Sequence, residues 1–598
     1  MLKRLYGLFR GYLMVAGFFT TCIFMLFAWS LMGLMTSGGV EKVKQVEPIT
    51  GEFILHAKLE GPVQTFWQDV DPISQLVVQQ EKTVPTAWEM KQNLKRAAHD
   101  ERVRGVMLEL SDWSTDWSGM QLLIDGLLEF RESGKPLVIW SAAIDMKTLM
   151  LSSVATQIGL APAGSVRLFG AVSQGIYYGK ALKKMGIDFY VTRVGKYKSA
   201  FESLVANKPS AESVEALQFR VDAVNEYVWM RLQQNHPEWS MKNLKSWFAR
   251  SLYAPNRALE IGMVSHLTQP EESLALLKQD AKSEVVVEFI KYAAEKMKTN
   301  SLNFLGDTKD GLAIIDVVGT IQLSGGVQGE ANADSLREQL KWAGEQDKVK
   351  AVVLRINSPG GSALASDLIW SQVRALAELK PVIAVMEGVA ASGGYYIASA
   401  AHKIVSSPLT LTGSIGVIGL VPSLDRLGEK WDVGFHSLGH TQRLGMLDPG
   451  KRMTQADKEV LQEQTDQAYH LFLDRIAEAR GMPTDEIHKV AQGRVWLGLQ
   501  AHQFGLVDDL GGWQQALSIA KAEGGLNPDQ EYPLYRYGTP YDKLWHYLKS
   551  PQKMIPMLKS IFLQGVNPIG MGSELAEVFA RWSKDPVQAL YLEGQLDF

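Results

Sequence analysis

Two short runs in this chain have the residue types and spacing of acyl-transfer chemistry: Asn357-Ser358-Pro359-Gly360-Gly361 and Ala390-Ala391-Ser392-Gly393-Gly394. A glycine pair carries no Cβ atoms, so its backbone can approach a substrate carbonyl and aim N–H groups at the oxygen. A serine followed by such a pair has the form of a nucleophile set beside those donors. Together the runs look like an oxyanion hole, built from Gly360 and Gly361 with the Gly393 N–H, facing Ser392. Ser-Pro-Gly-Gly alone is as often a tight turn, and Ala-Ser-Gly-Gly is more often a helix start. The two runs are specific only as a pair.

The elements around them fit. Val352 to Ile356 and Pro381 to Met386 are short, branched and apolar, which predicts buried parallel strands. Each strand runs into one of the glycine turns, and residues 363–379 between them predict a crossover helix. Open parallel sheets gather their ligands at the carboxyl ends of strands. Both runs fall at such ends.

The whole chain has 598 residues and a formal charge of -4, too long for one core and expected to form at least two domains. It has no basic stripe, no arginine-rich aromatic segment and no long run of one charge, so nucleic acid is not an expected partner. Cys22 is the only cysteine, which excludes an intrachain disulfide and a thiolate metal cluster. The eleven histidines are scattered, and neither H-E-x-x-H nor a Walker loop occurs. No metal or cofactor is expected. Between Gly11 and Val40 there is no charge, and Tyr12 to Met35 is apolar for long enough to cross about 30 Å of hydrocarbon as a helix. Lys3, Arg4 and Arg10 precede it, which predicts a cytoplasmic amino terminus, an uncleaved anchor within residues 1–45 and an extracytoplasmic remainder.

That remainder contains one plan twice. Val103 to Leu110 matches Val349 to Ile356, Lys135 to Trp140 matches Lys380 to Val385, and Ala258 to Val264 echoes Ala501 to Val507. Two tandem α/β domains are expected, 46–300 and 301–598, joined through the charged, helix-compatible residues 284–299. Where the second half has Asn-Ser-Pro-Gly-Gly, the first has Ser111-Asp112-Trp113-Ser114-Thr115, and opposite Ser392 it has approximately Met146. The first half has no nucleophile. It does have Lys198, in Tyr197-Lys198-Ser199-Ala200, opposite Gln442 of the second half.

Anchor, repeats, both glycine runs, Tyr197 to Ala200 and Thr412-Gly413-Ser414-Ile415-Gly416 together resemble the signal peptide peptidase A (protease IV) family in its long, duplicated, membrane-anchored form. The resemblance implies a Clp/crotonase-like (ββα superhelix) fold for each domain. It implies a serine endopeptidase with Ser392 as nucleophile, Lys198 as general base, Ser414 orienting the lysine, and the Gly361 and Gly393 N–H groups as oxyanion donors. It further implies a homotetramer, in a bacterial inner membrane, that degrades cleaved signal peptides. One departure is visible: family members continue from Tyr-Lys-Ser-Ala toward Glu-Pro, whereas Phe201-Glu202-Ser203 has no proline. This bears on the following loop, not on the dyad.

The chemistry sets its own conditions. Lysine takes a proton only when neutral, and its ordinary value near 10.4 must fall by roughly 3 pH units, about 4 kcal/mol, chiefly through loss of water. The site must therefore be buried. Clp-type enzymes carry a histidine downstream of their serine, and none lies between Thr410 and Ile418 here; His402 and His440 are the reserve candidates. The alternatives are a crotonase-type acyl-CoA enzyme built on the same glycine turns, and a catalytically inactive membrane scaffold.

Overall fold

The computed structural model of the protein describes residues 49–66, 84–300, 309–324, 330–440, 443, 446, 448–537 and 587–590. The apolar stretch 12–35 lies outside them. Among the described residues no helix is long and apolar enough to cross a membrane.

Two sheets repeat one plan. The first has the strand order Leu252–Tyr253, Gln157–Arg167, Leu137–Ile144, Val103–Ser114, Phe53–Pro62, Val286–Glu288. The second has Val495–Leu497, Leu411–Gly413, Val382–Ala391, Val349–Ser358, Gly311–Val318, Leu534–Tyr535. In each, the four central strands are parallel, the first is an antiparallel edge, and the last is a short parallel edge. The central strands are apolar on both faces because helices cover both; Val349–Ser358 is almost wholly buried. The expected crossover helix forms over Ala363–Ala377, with the Ser362 hydroxyl accepting from the Ala365 N–H at 3.2 Å. Residues 284–299 are helical only in part: Val286–Glu288 pairs with the edge of the first sheet before the helix Phe289–Asn300 begins.

A third sheet draws on both halves, in the order Ala331–Asn332, Ile321–Gln322, Gly360–Ser362, Val587–Leu590, Val417–Ser423, Asp188–Val194. Its last pair is antiparallel, with Val194 opposite Val417 and Asp188 opposite Ser423. A strand of the first half thus ends four residues before Lys198, against the start of a second-half strand three residues after Ser414. The halves also share one core, in which Leu55, Phe66 and Leu108 are clustered with Leu312, Val353 and Trp513. Phe66 stacks on Trp513 at 4.1 Å and 11°. The two repeats are interlocked by packing and by backbone, which positions a residue of one half to serve the other.

Candidate active site

The strand Val382–Ala391 is longer than its apolar run suggests and ends one residue before Ser392. Ser392 then starts the short helix Gly393–Ser399 in a sharp turn, at φ 55° and ψ -114°, a conformation costly for a residue with a Cβ. Its N–H donates to the Gly413 carbonyl at 2.8 Å, which fastens the turn to the neighbouring strand. Such strand-turn-helix geometry points a serine hydroxyl away from its own strand. Here the hydroxyl meets a residue from the other half of the chain.

That residue is Lys198. Its Nζ lies 2.8 Å from Ser392 Oγ, 2.8 Å from the Ser414 carbonyl oxygen and 2.9 Å from Ser414 Oγ. Lys198, Ser392 and Ser414 are 1 %, 0 % and 2 % exposed. Ser414 also has a positive φ, 49°, and its N–H donates to the Arg494 carbonyl. A neutral amine has two N–H donors and one lone pair. Two bonds to Ser414 leave the lone pair for the Ser392 hydroxyl proton, an arrangement able to activate that hydroxyl.

The Gly360–Ser362 strand lies beside this pair. A Cβ on Gly393 would be 3.2 Å from the Gly360 Cα, so the two glycine turns are in contact. A Cβ on Gly361 would sit 2.1 Å from the Ile321 carbonyl oxygen, where no side chain fits. The glycine runs are therefore adjacent in space. The pair Ser358 and Gly360 closes on itself, with the Gly360 N–H donating to Ser358 Oγ at 3.1 Å.

Neither reserve histidine joins this group. His402 Nδ1 accepts from the Val382 N–H at 3.1 Å, at the opposite end of the strand that leads to Ser392, and His440 is exposed. Gln442 lies outside the described residues. Among the described residues no group of His, Cys, Asp and Glu could hold a metal ion.

One buried feature escaped the sequence reading. Glu387, on the strand leading to Ser392, is fully buried, with Arg355 Nη2 2.9 Å from Oε2 and the Trp513 indole N–H donating to Oε1 at 2.9 Å. Burial pushes the Glu387 carboxyl up, while the Arg355 guanidinium pulls against it. The signal was a single charge inside each of two apolar runs, Val-Val-Leu-Arg-Ile and Val-Met-Glu-Gly-Val. A charge at such a position calls for a partner.

Both halves of the chain are similar to known proteins. The model of peptidase family S49 matches residues 129–284 and 374–527, one stretch in each half, and that of Clp protease matches 306–410. The chain is 33% identical over 466 residues to the chloroplastic serine protease SPPA of Arabidopsis thaliana, covering 76% of this chain and 68% of that protein. It is 28% identical to protease 4 of Haemophilus influenzae, covering 85% and 84%, and 32% identical to protease 4 of Salmonella typhi, covering 72% and 70%.

Proposed function

The chain belongs to peptidase family S49, with duplicated domains of a Clp-protease-like α/β fold and the activity class of a serine peptidase, and from that premise we propose that it hydrolyses peptide bonds through a Ser392/Lys198 dyad. Ser392 Oγ attacks the scissile carbonyl carbon as its proton passes to Lys198 Nζ. The carbonyl oxygen takes up the negative charge against the N–H groups of Gly361 and Gly393. Collapse of the tetrahedral intermediate breaks the C–N bond, and Lys198 returns the proton to the departing amine. The resulting ester is attacked by water, whose proton goes to Lys198. The acid product leaves as Ser392 regains its hydrogen. Ser414 holds the lysine through two acceptors in every step.

The observation that carries this reading is the 2.8 Å contact between Lys198 Nζ and Ser392 Oγ across 194 residues of sequence, with both side chains buried. Burial supports a neutral amine, since loss of water works against the charged form. We place the enzyme on a bacterial inner membrane, with residues 12–35 as a single-pass anchor, the amino terminus cytoplasmic and the rest extracytoplasmic. Its substrates on this reading are cleaved signal peptides and other unfolded apolar segments, and its assembly is a homotetramer.

The test is hydrolysis of a peptide ester, with a fluorophosphonate as label for Ser392. Ser392→Ala and Lys198→Ala are each expected to lower kcat by about 10⁴-fold or more. Undiminished turnover in either folded variant rejects the dyad.

A further inference from the structure

Lys198 and its acceptors stand on different halves of the chain, and one tripeptide joins them. Gln492-Gly493-Arg494 lies between the helix Thr484–Val490 and the strand Val495–Leu497. The Gln492 carbonyl accepts from the Tyr197 N–H at 2.9 Å. The Gly493 N–H donates to the Ile415 carbonyl at 2.7 Å, and the Arg494 carbonyl accepts from the Ser414 N–H at 2.8 Å. Three backbone bonds thus run from the residue before the base to the loop that orients it. The fit leaves no slack: at φ +77°, a Cβ on Gly493 would lie 2.6 Å from both the backbone nitrogen and the Cβ of Lys198.

The Arg494 side chain extends the same join. Its Nη1 donates to the Tyr197 hydroxyl at 3.1 Å and to Glu215 Oε1 at 2.9 Å. The guanidinium carbon is 4.7 Å from the Tyr197 ring, 5.2 Å from Phe219 and 4.7 Å from Trp496. Glu215 and Phe219 belong to the helix Ala211–Asn235 of the first half. Planar stacking between aromatic faces, combined with a directed ion pair, is work that a guanidinium does and an ammonium does not. We propose that Arg494 is a positioning residue that fixes the Tyr197-Lys198 turn against Ser414, and so sets the distance from Lys198 Nζ to Ser392 Oγ. This rests on the dyad above.

The experiment uses the full chain with Arg494→Ala, Arg494→Lys and Tyr197→Phe, scored per folded molecule on a peptide ester. Displacing a catalytic group by about 1 Å costs up to about 100-fold, so Arg494→Ala is expected to lower kcat by about 10- to 100-fold, with KM within about twofold. The rate of fluorophosphonate labelling at Ser392 should fall in parallel. Arg494→Lys recovers melting temperature more than kcat, and Tyr197→Phe moves kcat in the same direction by less. A fall in melting temperature with kcat and labelling rate unchanged overturns the proposal. If Arg494→Ala does not fold, the two milder variants decide by the same criterion. Turnover surviving Lys198→Ala rejects the dyad itself, whereas an inert Arg494 beside an inactive Lys198→Ala rejects only the positioning role.

Discussion

Ser414→Ala is the sharpest probe of how the base is held. The substitution removes the acceptor 2.9 Å from Lys198 Nζ and leaves the Ser414 carbonyl at 2.8 Å in place. One N–H of a buried amine then loses its acceptor, at a cost of about 1–3 kcal/mol. The penalty grows as Nζ takes the Ser392 proton, because a bond from a charged donor is stronger than one from a neutral donor. It therefore falls on the transition state more than on the bound substrate. At about 1.36 kcal/mol per tenfold, kcat should drop by roughly 5- to 150-fold, with KM for a small peptide ester within about twofold. The assay is steady-state ester hydrolysis paired with fluorophosphonate labelling, on protein whose melting curve matches the parent's. A kcat within twofold of the parent, or a change confined to KM, would refute the assignment of Ser414 as the lysine's anchor. A loss as deep as that of Ser392→Ala would also count against it, since the carbonyl acceptor remains.

Three further outcomes follow from separate parts of the structure. Gly361→Ala would place a Cβ 2.1 Å from the Ile321 carbonyl and push the strand Ile321–Gln322 from its neighbour; kcat should fall by about 10²- to 10³-fold, as when one oxyanion donor is lost. Glu387→Gln keeps an acceptor for the Trp513 indole but removes the carboxylate 2.9 Å from the Arg355 guanidinium, leaving Asp316 as the facing charge at 3.6 Å, and should lower stability by about 1–3 kcal/mol, followed in a denaturant titration. Asp457 closes the capping box of the helix Gln455–Arg480 with the cap residue Thr454, whose hydroxyl and N–H donate to its carboxyl and hold it below the usual carboxylate range. A depressed carboxylate contributes stability above its unfolded value and loses it as pH falls through the folded one. The melting-temperature gap between the parent and Asp457→Asn should thus be full above about pH 4 and close in stronger acid.

What could be read from the residues alone divides along physical lines. The strands Val349–Ser358 and Val382–Ala391 were legible because burial on both faces forces a continuous apolar run, and the glycine turns because close backbone approach forbids a Cβ. The Ser392 position follows from both. Lys198 is different: nothing near it in the chain marks it, since its partners lie 194 and 216 residues away, and it emerges only through comparison of the halves and a family resemblance. The tripeptide 492–494 was invisible for a stronger reason, because two of its three residues act mainly through main-chain N–H and C=O groups, which every sequence has. Two tandem domains are the natural reading of a repeat, but a repeat does not show how its copies pack: each half uses the other's apolar surface to finish its core, and Asp188–Val194 completes a sheet begun in the second half. That interlocking has a consequence for the chemistry. A base delivered on a strand of one repeat to a serine on a strand of the other is fixed by the whole inter-repeat packing. Substitutions in the shared core, such as at Phe66 or Trp513, should therefore disturb the Lys198 to Ser392 distance before they unfold either half.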